Sequence, residues 1–125
     1  MDRVNVIRAP RTGAVRDGHG AGHTPLEHLM KTDDLHLTVL DFVDGSRTGW
    51  HSHPEADQFL YWISGEGAVG FDGDVVRTEP GDLVSIPRGV RHWHGARRGT
   101  SAQHLSILSG KEAADWYDEN PEPVD

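Results

Sequence analysis

From Leu35 onward the chain alternates apolar and polar positions with a period of two, as strands with one buried face do. Residues 35–43, 49–53, 58–63, 68–72, 75–79, 83–86, 92–94 and 103–109 each read as a short strand. The interruptions DGS, SGEG, DGD, EPGD, PRG and RRGTS are turn chemistry. Phe71-Asp72-Gly73-Asp74 predicts a hairpin, since Asp-Gly favours the type I′ turn. The flanks are less regular. Residues 1–8 alternate weakly and suggest an edge strand, and residues 9–24, with four glycines, an open loop. Pro25–Lys31 carries proline at a first helical position and suggests one or two helical turns. After Gly110, residues 111–118 suggest a short C-terminal helix, and residues 120–125 a frayed prolyl tail.

Eight short strands in 125 residues predict one all-β domain, a β-sandwich or a small closed barrel with room for one ligand in its mouth. The expected barrel spans about 33–110, with an N-terminal arm at 1–24 and an acidic tail at 119–125. Fifteen glycines and seven prolines disfavour a helical bundle. The absence of cysteine excludes disulfides, thiol nucleophiles and thiolate metal sites. Apolar runs are too short for a membrane span or a signal peptide, so the expected address is the cytoplasm. A net charge of −8 argues against a nucleic-acid partner. Charge is uneven: residues 1–16 hold four arginines and one aspartate, and residues 112–125 six acids and no base. Both ends read as solvated.

Histidine is the outlier, at 19, 23, 28, 36, 51, 53, 92, 94 and 104. On a strand, residues two apart share a face, so His51 and His53 present two imidazoles to one side. His92 and His94 repeat the arrangement after the tight turn Pro87-Arg88-Gly89. Gln58 lies five residues beyond His53, with Glu55 and Asp57 as alternative oxygen donors. His19, His23, His28 and His36 read as loop or surface residues, with His28 or His36 able to line the barrel mouth. Trp50, Trp62, Trp93 and Tyr61 read as packing residues.

The stretch Gly45-x5-His51-x-His53-x4-Gln58-x6-Gly65 resembles the first cupin motif, with Gln at the usual Glu position. Gly81-x5-Pro87-x-Gly89-x2-His92 resembles the second, with Ala96 at its usual Asn. The resemblance implies a jelly-roll barrel holding one divalent transition metal on His51, His53, Gln58 and His92. His92-Trp93-His94-Gly95-Ala96, followed by His104-Leu105-Ser106-Ile107, is similar to cupins related to the carboxymuconolactone-decarboxylase-associated group. That group includes manganese cupins with hydroxynitrile lyase activity, which use a Gln ligand and keep a His at the position of His104. The x4 spacing before Gln58 is one residue longer than in those lyases. Manganese is therefore the first expectation, with Fe, Ni, Co or Zn as alternatives that N₃O ligation also suits.

Three neutral imidazoles and a neutral amide leave the ion at its full formal charge, a stronger Lewis acid than a Glu site. His94 and His104 are the candidate bases, His104 favoured by the resemblance. The expected function is a metal-dependent lyase, dehydratase or isomerase acting on a small oxygenated molecule. A dioxygenase similar to quercetin dioxygenase is the alternative, and a non-catalytic ligand-binding cupin the second. Exposed sheet edges predict a homodimer or higher homo-oligomer, paired or exchanged through residues 4–7.

Overall fold

A computed structural model describes residues 2–15 and 20–125, so Arg16 and His19 lie outside the described residues. The strands are β1 (Gly13–Ala14), β2 (Gly20–His23), β3 (Pro25–Lys31), β4 (Leu35–Thr48), β5 (His51–Ser52) and β6 (Ala56–Gly65). β7 (Gly67–Phe71), β8 (Asp74–Thr78), β9 (Leu83–Ile86), β10 (Trp93–Ala96), β11 (Ala102–Gly110) and β12 (Asp115–Trp116) follow. No helix occurs among the described residues. In particular, none is long and apolar enough to cross a membrane.

Ten strands make one curled antiparallel sheet, with the spine β8-β7-β10-β4-β11-β6-β9. β4 turns the sheet into a container. Its first part pairs with β3 and β11, and its last residues pair with β2 and β10. Between the two parts Asp44 and Gly45 take positive φ values of 49° and 75°, where the strand bends from one wall to the other. The period-two pattern then sorts side chains by face. Leu40, Phe42, Leu60, Trp62, Val69, Ile86, Ala96 and Ala102 close the core inside the curl. Trp62 and Trp93 are buried as expected, whereas Tyr61 is 44% exposed on the outer face. Gly70 lets β7 pass directly under the Trp93 ring, where a Cβ would overlap the indole.

Several sequence expectations are corrected. Pro25–Lys31 is a strand, not helical turns, because its backbone pairs with β4 on one side and β1 on the other. Residues 2–8 form no strand; residues 6–8 turn, and the Ala9 amide closes back on the Asn5 carbonyl. Within the expected 9–24 loop, β1 and β2 join the sheet. The Asp72-Gly73 hairpin forms, yet only Gly73 has positive φ, so the turn is not type I′. The expected C-terminal helix is absent: residues 111–119 run across the barrel as an extended strap, and β12 pairs with β5. Tertiary pairing overrides the local helical preference there. The acidic tail is held by arginines: Arg98 pairs with Asp125, and Arg47 and Arg77 donate to the Pro121 and Asp125 carbonyls.

Candidate metal centre

The two histidine pairs meet because the backbone joins them. His51 and His92 exchange both amide bonds in an antiparallel bridge, N–H to carbonyl at 2.9 and 2.8 Å. The Gly89 amide donates to the His53 carbonyl at 2.8 Å, fixing the next residue. One ring nitrogen from each of His51, His53 and His92 consequently lies within 4.8 Å of the others.

Each of these rings has its Nδ1 against a backbone carbonyl. The partners are Gly49 at 2.9 Å for His51, Ala113 at 3.0 Å for His53 and Val90 at 2.8 Å for His92. A neutral imidazole whose Nδ1–H donates to a carbonyl keeps its lone pair on Nε2, the form that binds metals. Burial, above all, pushes the His92 pKa down to about 4 and lowers that of His53, so both rings are neutral at neutral pH. For His53 the Ala113 carbonyl, the Gln58 side chain and Glu112 oppose that shift.

The donor set fits a divalent cation on two further counts. His53 Nε2 is buried without a hydrogen-bond partner, an arrangement that costs energy unless something else binds it. Gln58 stands with Oε1 3.0 Å from His92 Nε2, while its Nε2 donates to Ser106 Oγ at 2.9 Å. With His92 Nδ1–H already given to Val90, that contact sets one lone pair against another, and a cation between them reconciles the two. The alternative oxygen donors are engaged elsewhere: Asp57 accepts from the Arg88 amide, and Glu55 pairs with Lys111.

Behind the triad stand the other two expected histidines. His104 Nε2 and His94 Nδ1 are 2.8 Å apart, both rings are buried, and Phe42 packs against each. Burial holds both pKa values down, that of His104 to about 3, with its own carbonyl opposing. The contact with its own carbonyl favours the proton on His104 Nδ1, so that His94 donates from Nδ1 to His104 Nε2 across the pair. His94 then keeps its lone pair on Nε2. Of the pair, only His94 lines the cavity.

That cavity, of about 650 Å³, reaches His51 and His53 of the triad. Its lining mixes polar His51, His53, Gln58, His94 and Ser106 with apolar Val15, Leu26, Leu40, Leu108 and Trp116. His28 lines its mouth, while His36 lies beside a neighbouring cavity and pairs with Glu112 at 3.1 Å; His23 is exposed. Sequence reasoning missed the strap residues Ala113 and Trp116. The one available signal was Trp116-Tyr117, two aromatics inside an otherwise acidic terminus.

Comparison with known proteins agrees with this architecture. The Cupin domain family matches residues 38–108. An (R)-mandelonitrile lyase of Granulicella tundricola is 33% identical over 124 residues, covering 86% of this chain and 90% of the lyase. An acireductone dioxygenase of a Picosynechococcus strain is 34% identical over 71 residues, covering 53% of this chain and 39% of the relative. Among solved structures, a cupin-like protein of Thermotoga maritima superposes with a TM-score of 0.81 at 28% identity, covering 90% of this chain and 89% of its own.

Proposed function

As the chain belongs to the cupin family, we propose that it is a metal-dependent lyase of the hydroxynitrile type. The observation that carries the reading is the convergence of His51, His53 and His92, each turned by a carbonyl on Nδ1, beside a cavity lined in part by Leu26, Leu40, Leu108 and Trp116. His51, His53, His92 and the Gln58 oxygen would hold the ion, with manganese the first candidate. A bound divalent ion supplies Lewis acidity toward a substrate oxygen.

This chain's own residues do the rest. Leu26, Leu40, Leu108 and Trp116 take the apolar body of a small α-hydroxy compound and exclude water from it. His94, fixed by His104, presents its Nε2 lone pair to the substrate hydroxyl. In a cyanohydrin the carbon–nitrile bond breaks and the hydroxyl becomes a carbonyl. His94 takes the hydroxyl proton and passes it on to the departing cyanide, so the ring ends neutral, as it began. His104 positions His94 and holds its tautomer.

The test is a metal-loaded preparation given racemic mandelonitrile, with benzaldehyde release and dissolved oxygen followed together. Aldehyde release without oxygen uptake supports the lyase. Oxygen uptake with an oxygen-rich substrate and no aldehyde supports the dioxygenase alternative, which shares the donor set. Neither, with metal bound, leaves a ligand-binding cupin. The proposal extends to a homodimer, whose mass in light scattering would be about twice 13.8 kDa.

A further inference from the structure

We propose that the C-terminal strap, residues 111–119, is a positioning element of the metal centre: the Ala113 carbonyl sets His53 and the Trp116 indole sets His51. The inference rests on the metal reading above and adds a part to it. His51 and His92 take their Nδ1 carbonyls from residues two positions back, Gly49 and Val90. His53 takes its carbonyl from Ala113, sixty residues away. That carbonyl accepts from Nδ1 and so leaves the lone pair on Nε2. Trp116 lies opposite His51 in the β12–β5 pair, and its ring covers the imidazole at a centroid distance of 4.5 Å and an interplanar angle of 31°.

The strap is fastened at both ends. The Lys111 amide donates to Glu55 at 3.1 Å, the Tyr117 amide to Trp50 at 3.0 Å and the Trp50 amide to Glu119 at 3.2 Å. Arg91, next to His92 in sequence, clasps the far end. Its guanidinium lies 4.0 Å from the Trp50 ring centroid and 5.1 Å from that of Tyr117, and it pairs with Glu119 at 2.7 Å. One segment therefore closes part of the cavity and orients both histidines of the first pair.

The test uses full-length variants and Co²⁺ alone, read by chelator competition and by the visible spectrum of the bound ion. Trp116→Ala removes the ring, and Tyr117→Pro removes the amide that fastens the strap to Trp50. Each should raise the Co²⁺ dissociation constant about tenfold or more, as loss of ligand-orienting partners does. The spectrum should change with it, because His53 or His51 no longer approaches at the same angle. Trp116→Phe keeps a flat ring over His51 and should stay within about threefold of the parent. Circular dichroism of the metal-free variants checks that the barrel is folded. Parental affinity and spectrum in both folded Trp116→Ala and Tyr117→Pro would overturn the strap and leave the metal centre standing. If Tyr117→Pro does not fold, Trp116→Ala and Trp116→Phe decide, and equal losses in those two overturn the stacking role. A parent chain that takes up no Co²⁺, Mn²⁺ or Zn²⁺ overturns the metal reading and the strap together.

Discussion

At His53 two facts sit on one ring: Nδ1 is held by Ala113, and Nε2 is buried without a partner. A side chain so arranged has been shaped for something beyond its protein neighbours, so His53→Ala should abolish stoichiometric metal uptake while leaving a folded barrel. Metal analysis after dialysis against excess Mn²⁺ measures this. Gln58 sets the charge of the centre. Replacing it by Glu adds a negative charge beside the ion, which should tighten metal retention and slow lyase turnover, read by chelator competition and steady-state rates. At the second pair the geometry orders the roles. His94 lines the cavity and His104 stands behind it, so His94→Ala should cost more turnover than His104→Ala. The loss from His104→Ala should be about 10²-fold at unchanged metal content, the scale of general acid–base help.

Among the elements, β4 and β7 show how a strand becomes part of a container. The bend at Asp44-Gly45 lets one strand serve both walls, and the bare backbone of β7 admits the Trp93 indole. Gly70→Ala forces that ring aside and should destabilise the protein by about 1–3 kcal/mol, the usual cost of overpacking. Gly73, in the hairpin loop, meets nothing within 4 Å, and only its φ of 77° resists a side chain. There an Ala should cost about 1 kcal/mol or less. Urea midpoints of the two variants would separate a packing role from a backbone one.

For the whole molecule, a buried neutral histidine makes stability depend on pH. The His104 pKa is pushed down to about 3 by burial, whereas in the unfolded chain it lies near its ordinary 6.5. Between those values the unfolded chain binds the extra proton and the native chain does not, so stability falls as pH drops below about 6.5. The loss for one such group approaches ~1.4 kcal/mol per pH unit. Metal-free protein should show at least this slope in urea midpoints between pH 6.5 and 4.5, above the main carboxylate range, and His104→Asn should lessen it. His53, His92 and His94, whose pKa values burial also lowers, carry the remainder. An unchanged slope in that variant would mean that other groups carry the acid sensitivity.

Much of this molecule is written locally. Alternation at period two marks the strands from Leu35 to Gly110, because a half-buried strand needs one apolar face whatever its partners are. His51, His53, Gln58 and His92 are legible for the same reason: a fixed spacing on a strand fixes the face, and the family resemblance adds the pairing. Two of the three Nδ1 carbonyls are local as well, each two residues back along the strand. The termini were not legible. Pro25–Lys31 and residues 111–118 have helical composition, and only pairing with β4 and β5 makes strands of Pro25–Lys31 and of β12. For the same reason no local pattern could reveal that Ala113 holds His53, that Trp116 covers His51 or that His94 screens His104 from the cavity. Those contacts join residues far apart in the chain. Local propensity is a preference of at most about 1 kcal/mol per residue, and the hydrogen bonds and burial gained by closing the barrel outweigh it.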